Sequence, residues 1–347
     1  MTDYPTRDRI SDGQMPSGAH QTLGKLIIQI PCLNEAGTLG VALAALPRSV
    51  PGFAVVEWLI VDDGSTDETV NVARHAGVDH IIRHPANRGL AAAFMTGLEA
   101  ALCLGADVIV NTDADNQYDA RDIPALTRPI LEGQADMVVG SRPIEQTSHF
   151  SWTKRKLQRL GSWAVRMASR TDVSDAPSGF RAISRHAAMR LNVFGAYTYT
   201  LETIIQAGLS GMRVSCVPVR THPDLRPSRL VKSIRIYVQR SLGTIVRVFI
   251  TYRPLATFIY AGCIFGMTGL AAGARFVYFY LEGEGTGHVQ SVVLAALCLI
   301  LSMLLFVMGL LADLISVNRK LLENVLLRVR MIEESIDRLP DQKDRQP

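Results

Sequence analysis

Two stretches without a single charged residue, 255–274 and 289–312, follow a long segment that otherwise reads as water-soluble protein. Each reaches the roughly 20 predominantly apolar residues a helix needs to cross the hydrocarbon core of a bilayer. A helix is the only single-segment structure that satisfies all of its own backbone groups in lipid, so both stretches are predicted to be spanning helices rather than buried core helices. The connection between them, 281–288, holds Glu282 and Glu284 and neither Lys nor Arg. By contrast, Lys232, Arg235, Arg240, Arg247 and Arg253 precede the first run, and Arg319, Lys320, Arg328 and Arg330 follow the second. Basic residues stay on the cytoplasmic side, so both long flanks are expected there and the acidic connection outside.

Composition sets further bounds. A chain of 347 residues has room for one soluble domain and a membrane hairpin. The formal net charge of +4 is small, and the basic residues crowd near the apolar runs, so an anionic lipid surface is the expected partner and nucleic acid is not. Cys32, Cys103, Cys216, Cys263 and Cys298 are scattered with no CxxC spacing, which implies a reducing compartment and no zinc site. Residues 1–22 are polar and lack the apolar core of a secretory signal; they read as a disordered tail.

From Lys25 onward, short apolar runs alternate with helical patterns. Strands are predicted at 26–30, 55–61, 80–83, 106–111 and 135–139, and helices at 38–46, 68–76, 90–104 and 123–131, with Thr66 or Asp67 capping the second helix. This alternation defines an α/β domain with a Rossmann-like, mainly parallel sheet covered on both faces. In such sheets, ligands bind at the carboxyl ends of the strands. The polar clusters fall there: Asn34-Glu35 after the first strand, Asp62-Asp63-Gly64-Ser65 after the second, and Asp113-Ala114-Asp115 after the fourth.

Each cluster suggests a chemistry. Asp113 and Asp115 are spaced two apart at the end of an apolar strand, so in extended geometry both project to one side. A hard divalent cation takes oxygen ligands and shares its sphere with substrate phosphates, leaving the protein to supply one or two carboxylates. An acidic turn capping the next helix is the plainer alternative. The acidic turn at Asp62 and Asp63 could accept hydrogen bonds from a base or ribose. Asn87-Arg88-Gly89 leads into a helix whose early positions are small, which allows a diphosphate to approach its amino end. Neither a GxGxxG after the first strand nor a Walker A sequence occurs. His149, His186 and His222 lack a carboxylate partner pattern and read as ordinary surface or core histidines.

Six motifs now stand in one order: Ile30-Pro31-Cys32-Leu33-Asn34-Glu35, Asp62-Asp63-Gly64-Ser65-Thr66-Asp67, Asn87-Arg88-Gly89, Asp113-Ala114-Asp115-Asn116-Gln117, Gly140-Ser141-Arg142 and Ser178-Gly179-Phe180-Arg181. In that order and spacing the chain resembles the family 2, GT-A-fold glycosyltransferases, and most of all the polyprenyl-phosphate and dolichyl-phosphate sugar synthases, over about residues 25–230. The resemblance implies a nucleotide-sugar donor held by Pro31, Asn34, Glu35, Asp62, Asp63, Gly64, Asn87, Gly89 and the Asp113-Ala114-Asp115 run. It implies a divalent metal, magnesium or manganese, on Asp113, Asp115 and Gln117. It also implies phosphate contacts from Arg142, Ser178 and Arg181, with Arg226 and Arg229 standing where members carry an Arg and Lys pair near the end of the domain. Asp113, Asp115, Arg142 and Arg181 would then be the catalytic set. Processive members carry a QxxRW motif, and no Trp here is preceded by Arg, which implies one sugar per turnover.

The chemistry fits without a general base. A phosphate monoester with a second pKa of about 6 is largely dianionic at neutral pH and can attack an anomeric carbon itself; attack in line with the leaving group predicts inversion. Two basic stretches, 154–170 and 230–252, interleave Lys and Arg with apolar residues and suit a headgroup layer, although a solvated helix face suits the earlier one nearly as well. The expected organisation is therefore a tail at 1–22, a catalytic domain at 23–229, an interfacial amphipathic helix at 230–253, a hairpin of two transmembrane helices at 254–316, and a cytosolic helix and tail at 317–347. The expected activity is transfer of one sugar to polyprenyl phosphate at the cytoplasmic membrane face, by a chain that can also self-associate. The rivals are another lipid acceptor such as diacylglycerol and, from a different class, a membrane transport or assembly subunit with a nucleotide-sensing domain. Intramembrane charge would favour the latter; Arg275 and Asp313 stand only at the ends of the runs.

Overall fold

Strand β1 (Leu23–Cys32) lies at the centre of a seven-stranded sheet ordered β3-β2-β1-β4-β6-β5-β7. The computed structural model describes residues 23–142, 171–193, 199–222, 251–283 and 289–337, together with single residues at 163, 166, 167, 169, 246, 247 and 250. The expected tail, the interfacial helix over most of 230–253, most of the basic stretch 154–170, and Arg226 and Arg229 lie outside these residues.

β1 pairs in parallel with β2 (Phe53–Asp62) and β4 (Val108–Asn111), and β2 pairs with β3 (His80–Arg83). Alternate side chains feed two cores. Ile27, Leu59, Val61 and Ile109 face α3 (Leu90–Cys103), and Leu26, Ile28, Ile60 and Val110 face α1 (Ala36–Ala45) and α4 (Ile123–Leu131). The predicted elements in this half match within a few residues. The cap differs: Glu68 occupies the amino-terminal cap of α2 (Thr69–His75), while Asp67 accepts from Thr69 N at 3.0 Å and from Ala36 N at 3.1 Å. Asp67 thus ties the first turns of α1 and α2 together.

The sheet is mixed rather than uniformly parallel. β6 (Arg181–Ser184) runs antiparallel between β4 and β5 (Met137–Ser141), and β7 (Val214–Pro218) returns parallel to β5. Its register pairs Asn111 with Arg181. An inserted antiparallel strand begins where its parallel neighbours end, so the residues just before β6 are delivered to the site end of the sheet. α5 (Arg185–Arg190) and α6 (Tyr199–Leu209) then pack against α3.

Beyond this domain stand α7 (Pro254–Leu281) and α8 (Val289–Asp337). Both are long and apolar enough to cross a membrane and are mostly exposed, with 11% and 22% of their most apolar windows buried, which is unlike the core helices of a soluble fold. They pack through close approaches: a Cβ on Gly262 would meet the Phe306 ring at 3.2 Å, and one on Gly269 would meet Ala295 O at 3.1 Å. Ser302 Oγ donates to Gly262 O at 2.8 Å, and small residues serve this purpose where lipid offers no hydrophobic drive. α7 continues past the predicted end at 274 through Phe276, Tyr278, Phe279 and Tyr280, the aromatic residues typical of a membrane–water boundary.

Candidate active site

The carboxyl ends of β1, β2, β4 and β5 and the start of β6 converge on one edge of the sheet. Beneath that edge lies a buried polar ladder. Gln29 Nε2 donates to Asn111 Oδ1 at 2.9 Å, and Asn111 Nδ2 donates to Gly179 O at 2.8 Å and to the Tyr199 hydroxyl at 2.9 Å. The Tyr199 ring stacks on Phe94 with centroids 4.0 Å apart. Gly179 N donates to the Tyr118 hydroxyl at 3.1 Å. This floor holds the Gly179 backbone so close to Asp113 that a Cβ there would sit 2.9 Å from Oδ1 and 3.0 Å from Oδ2.

Asp113 and Asp115 follow β4 as the sequence predicts. Asp115 Oδ1 accepts from Gln117 N at 3.1 Å, while among the described residues none donates to the Asp113 carboxyl. Burial, reinforced by the negative charge of Asp115, pushes the Asp113 pKa up to about 7, against the pull of Arg142 and Arg181. Two carboxylates held together, one of them without a donor among the described residues, form an acidic edge that a divalent cation fits. Among the described residues no group of three His, Cys, Asp or Glu side chains surrounds a common point, so the described residues offer only part of a coordination sphere. The remainder suits diphosphate oxygens.

Arg142, after β5, is held by Asp175: its Nε donates to Oδ2 at 2.7 Å and its Nη2 to Oδ1 at 3.0 Å. Asp175 is fully buried and the Arg142 side chain is 18% exposed, so the fork fixes a cation at the mouth of the site. Two of the expected phosphate-contacting residues are buried. Arg181 has no exposure; its Nε and Nη2 donate to Ser178 O and Ala176 O, both at 2.8 Å, and its Nη1 to Thr203 Oγ1 at 2.5 Å. It clamps the loop before β6 onto α6, with three of its five N–H groups taken by these bonds. Ser178 is equally buried, with its hydroxyl 3.4 Å from that of Tyr118.

On the other side, the loops after β1, β2 and β3 interlock. Asn34, at φ 55°, accepts Thr66 N on its Oδ1 at 2.8 Å and donates its own N–H to Ser65 Oγ at 2.9 Å. Glu35 Oε2 accepts from Thr38 Oγ1 at 2.9 Å, and Pro31 is buried in β1 opposite Val61. Asp62 is buried, its Oδ1 accepting from Ser65 N at 3.2 Å; its Oδ2 lies 3.2 Å from Arg83 Nε but has no well-angled hydrogen bond. Asp63 faces the loop after β3. Its Oδ1 lies 2.7 Å from His84 Nδ1 and accepts Arg88 N at 2.9 Å, and its Oδ2 accepts Gly89 N at 2.8 Å. With three protein partners on its carboxylate, it shapes the 84–89 loop. Gly64, at φ 80°, lets that loop approach, since a Cβ would lie 2.7 Å from the Ala86 carbonyl carbon. Asn87 Oδ1 accepts Gly89 N at 2.9 Å.

Gln29, Asn111, Tyr118, Asp175 and Tyr199 are the residues the sequence reading missed. Gln29 and Asn111 left a trace: each is a lone amide in an apolar run, 26–31 and 108–111, and they are register partners. The two tyrosines and Asp175 left none, because their partners come from elements far along the chain.

An α/β sheet with an acidic pair after its fourth strand, an arginine held by a buried aspartate and interlocked loops at the same edge is the architecture of a glycosyltransferase. The chain belongs to glycosyl transferase family 2, whose profile matches residues 27–197. It is 31% identical over 185 residues to a UDP-N-acetylglucosamine–dolichyl-phosphate N-acetylglucosaminyltransferase of Methanococcus voltae, covering 47% of this chain and 73% of that one. It is 26% identical over 230 residues to the polyprenol monophosphomannose synthase of Mycolicibacterium smegmatis, covering 63% and 85%. The fold is shared with glucosyl-3-phosphoglycerate synthase of Mycobacterium tuberculosis, solved with Mn2+, UDP and glucosyl-3-phosphoglycerate; the TM-score is 0.52 at 20% identity, over 69% of this chain and 85% of that one.

Proposed function

We propose that the enzyme transfers one sugar, with inversion, from a nucleoside diphosphate sugar to a polyprenyl phosphate at the cytoplasmic face of a membrane. The observation that carries this reading is the pairing of the Asp113/Asp115 edge and the Arg142–Asp175 fork with two exposed apolar helices on the same chain. The names of the Methanococcus voltae and Mycolicibacterium smegmatis relatives support a polyprenyl-type acceptor. The hairpin is joined to the catalytic domain: the Tyr252 hydroxyl donates to Glu202 Oε1 on α6 at 3.1 Å, and the Arg319 guanidinium lies 4.7 Å from the Tyr252 ring centroid. That coupling would keep the sheet edge near the headgroup layer, where a lipid phosphate is found.

In this reading Asp113, Asp115 and Gln117 hold magnesium or manganese, which when bound neutralises charge on the departing diphosphate. Pro31, Asn34, Glu35, Asp62, Gly64 and the 87–89 loop form the nucleoside and diphosphate side. Arg142 orients the acceptor phosphate, with Arg226 and Arg229 as further candidates. The acceptor dianion attacks unaided, so positioning and charge complementarity carry catalysis. The test is to incubate membranes containing the enzyme with labelled UDP- and GDP-sugars, with and without undecaprenyl phosphate, and to count label in the organic phase. Label that requires both the polyprenyl phosphate and Asp115, tested as Asp115→Ala, supports the reading. Label on diacylglycerol, or full transfer by Asp115→Ala or in excess chelator, defeats it.

A further inference from the structure

Past Arg319, α8 leaves the apolar window and becomes half polar, but keeps an apolar stripe. Ile315, Leu322, Val325 and Val329 are 69%, 69%, 57% and 44% exposed. With Asn318, Ile332 and Ile336 they occupy positions 315, 318, 322, 325, 329, 332 and 336, alternating steps of three and four. This is the a/d repeat of a left-handed coiled coil, held over three heptads of continuous helix. The stripe is not the face α8 turns to α7. That face is marked by Ala295, Cys298, Ser302 and Gly309, a row that reaches 316, about 100° round the helix from Ile315. Upstream, the exposed stripe runs on through Leu301, Leu304, Met308 and Leu311.

In the bilayer lipid can cover such a stripe, but the 18 residues from 320 to 337 extend about 27 Å farther along the axis. We infer that the α8 extension forms a parallel coiled coil with the α8 of a second copy of this chain. The parallel sense rests on the membrane reading above, because copies inserted in one membrane share an orientation. Charge favours this occupant: the heptad puts Arg328 at g and Glu333 at e, the two positions that face each other between parallel strands, and their signs are opposite. Leu321 at g and Leu326 at e widen the apolar seam one heptad earlier. Asn318, alone polar at a d position, would meet its counterpart and fix the register.

The test uses the full-length chain in a background lacking native cysteines. With Val325→Cys, oxidation in native membranes should give covalent dimer at least ten-fold more efficiently than with Arg330→Cys, because equivalent d positions come within disulfide reach and b positions do not. Light scattering of the detergent-solubilised protein should report a multiple of the chain mass, falling to one chain in Leu322→Glu/Val325→Glu. Arg328→Glu should also reduce the mass, and Arg328→Glu/Glu333→Arg should restore it, a rescue that adhesion of the helix to lipid would not produce. Equal cross-linking at the two positions, no cross-linking, or one-chain mass in the unaltered protein overturns the inference. Sugar transfer is measured separately, so a single-chain enzyme that still labels polyprenyl phosphate defeats the coiled coil and leaves the proposed function standing.

Discussion

Asp113 shows how much of this site depends on a residue with no side chain. Gly179 is pinned from both sides, by Tyr118 at its N–H and by Asn111 at its carbonyl, and a methyl group there would fall inside contact distance of both Asp113 oxygens and the Tyr199 hydroxyl. Gly179→Ala should therefore displace the carboxylate while leaving the sheet intact. Turnover is expected to fall by about 100-fold, the scale of a misplacement near 1 Å, with an unchanged circular dichroism spectrum; near-normal turnover would mean that Asp113 has room to move. A second residue-scale expectation concerns acid. Hydrogen bonding from Arg121, with further pull from Arg220, depresses the Asp119 pKa from 3.8 to about 2. A depressed carboxylate contributes stability that is present above its unfolded pKa and lost as pH falls through the folded one, so the contribution should fade between about pH 4 and pH 2. It is worth at most about 2 kcal/mol, and roughly half that because both arginine head groups are exposed. Comparing acid unfolding of wild type and Asp119→Asn checks it: the gap should close by about pH 2.

Among the elements, β6 and the 84–89 loop do most to assemble the site. β6 contributes its beginning: by running against β4 it brings Ser178 to Arg181 beside Asp113, and the Arg181 clamp then fixes this approach to α6. The 84–89 loop depends on Asp63, whose carboxylate gathers one histidine ring and two backbone N–H groups. Asp63→Ala leaves those donors unpaired at a cost of about 2–3 kcal/mol. The expected result is faster amide exchange at Arg88 and Gly89 and a KM for nucleotide sugar raised about ten-fold or more, with a smaller change in kcat. A kcat effect alone, with amide exchange unaltered, would move Asp63 back among the residues that touch substrate.

For the whole molecule, the two apolar helices decide where the enzyme works. If both long flanks are cytoplasmic, the sheet edge meets cytosolic nucleotide sugars, and only the short connection between α7 and α8 emerges on the far side. An impermeant thiol reagent, applied to intact cells carrying single cysteines in a cysteine-free chain, should modify Gly285→Cys and leave Ser17→Cys and Asp341→Cys untouched until the membrane is opened. The reverse pattern would separate the catalytic domain from its donor and refute the proposed reaction. The contacts among Tyr252, Glu202 and Arg319 link the hairpin to the domain.

Sequence alone determined whatever depends on near neighbours along the chain. Apolar runs and their lengths specified β1 to β5, α1 to α4 and the two long helices, though not β6 or β7, and the strand-end acids Asp62, Asp113 and Asp115 could be placed because a carboxyl strand end is a local feature. Tertiary structure decided what each polar side chain faces. Arg181 and Ser178 sit in a motif that reads as phosphate-binding, yet folding buries both; Asp63 reads like Asp62, yet three donors from residues 84, 88 and 89 engage it. Asp175 carries no motif and becomes the anchor of Arg142 across 33 residues, as Tyr199 becomes the partner of Asn111 across 88. A hydrogen bond is governed by which groups converge in space, and convergence over such separations is a property of the assembled sheet and helices, to which the local pattern of the chain is blind.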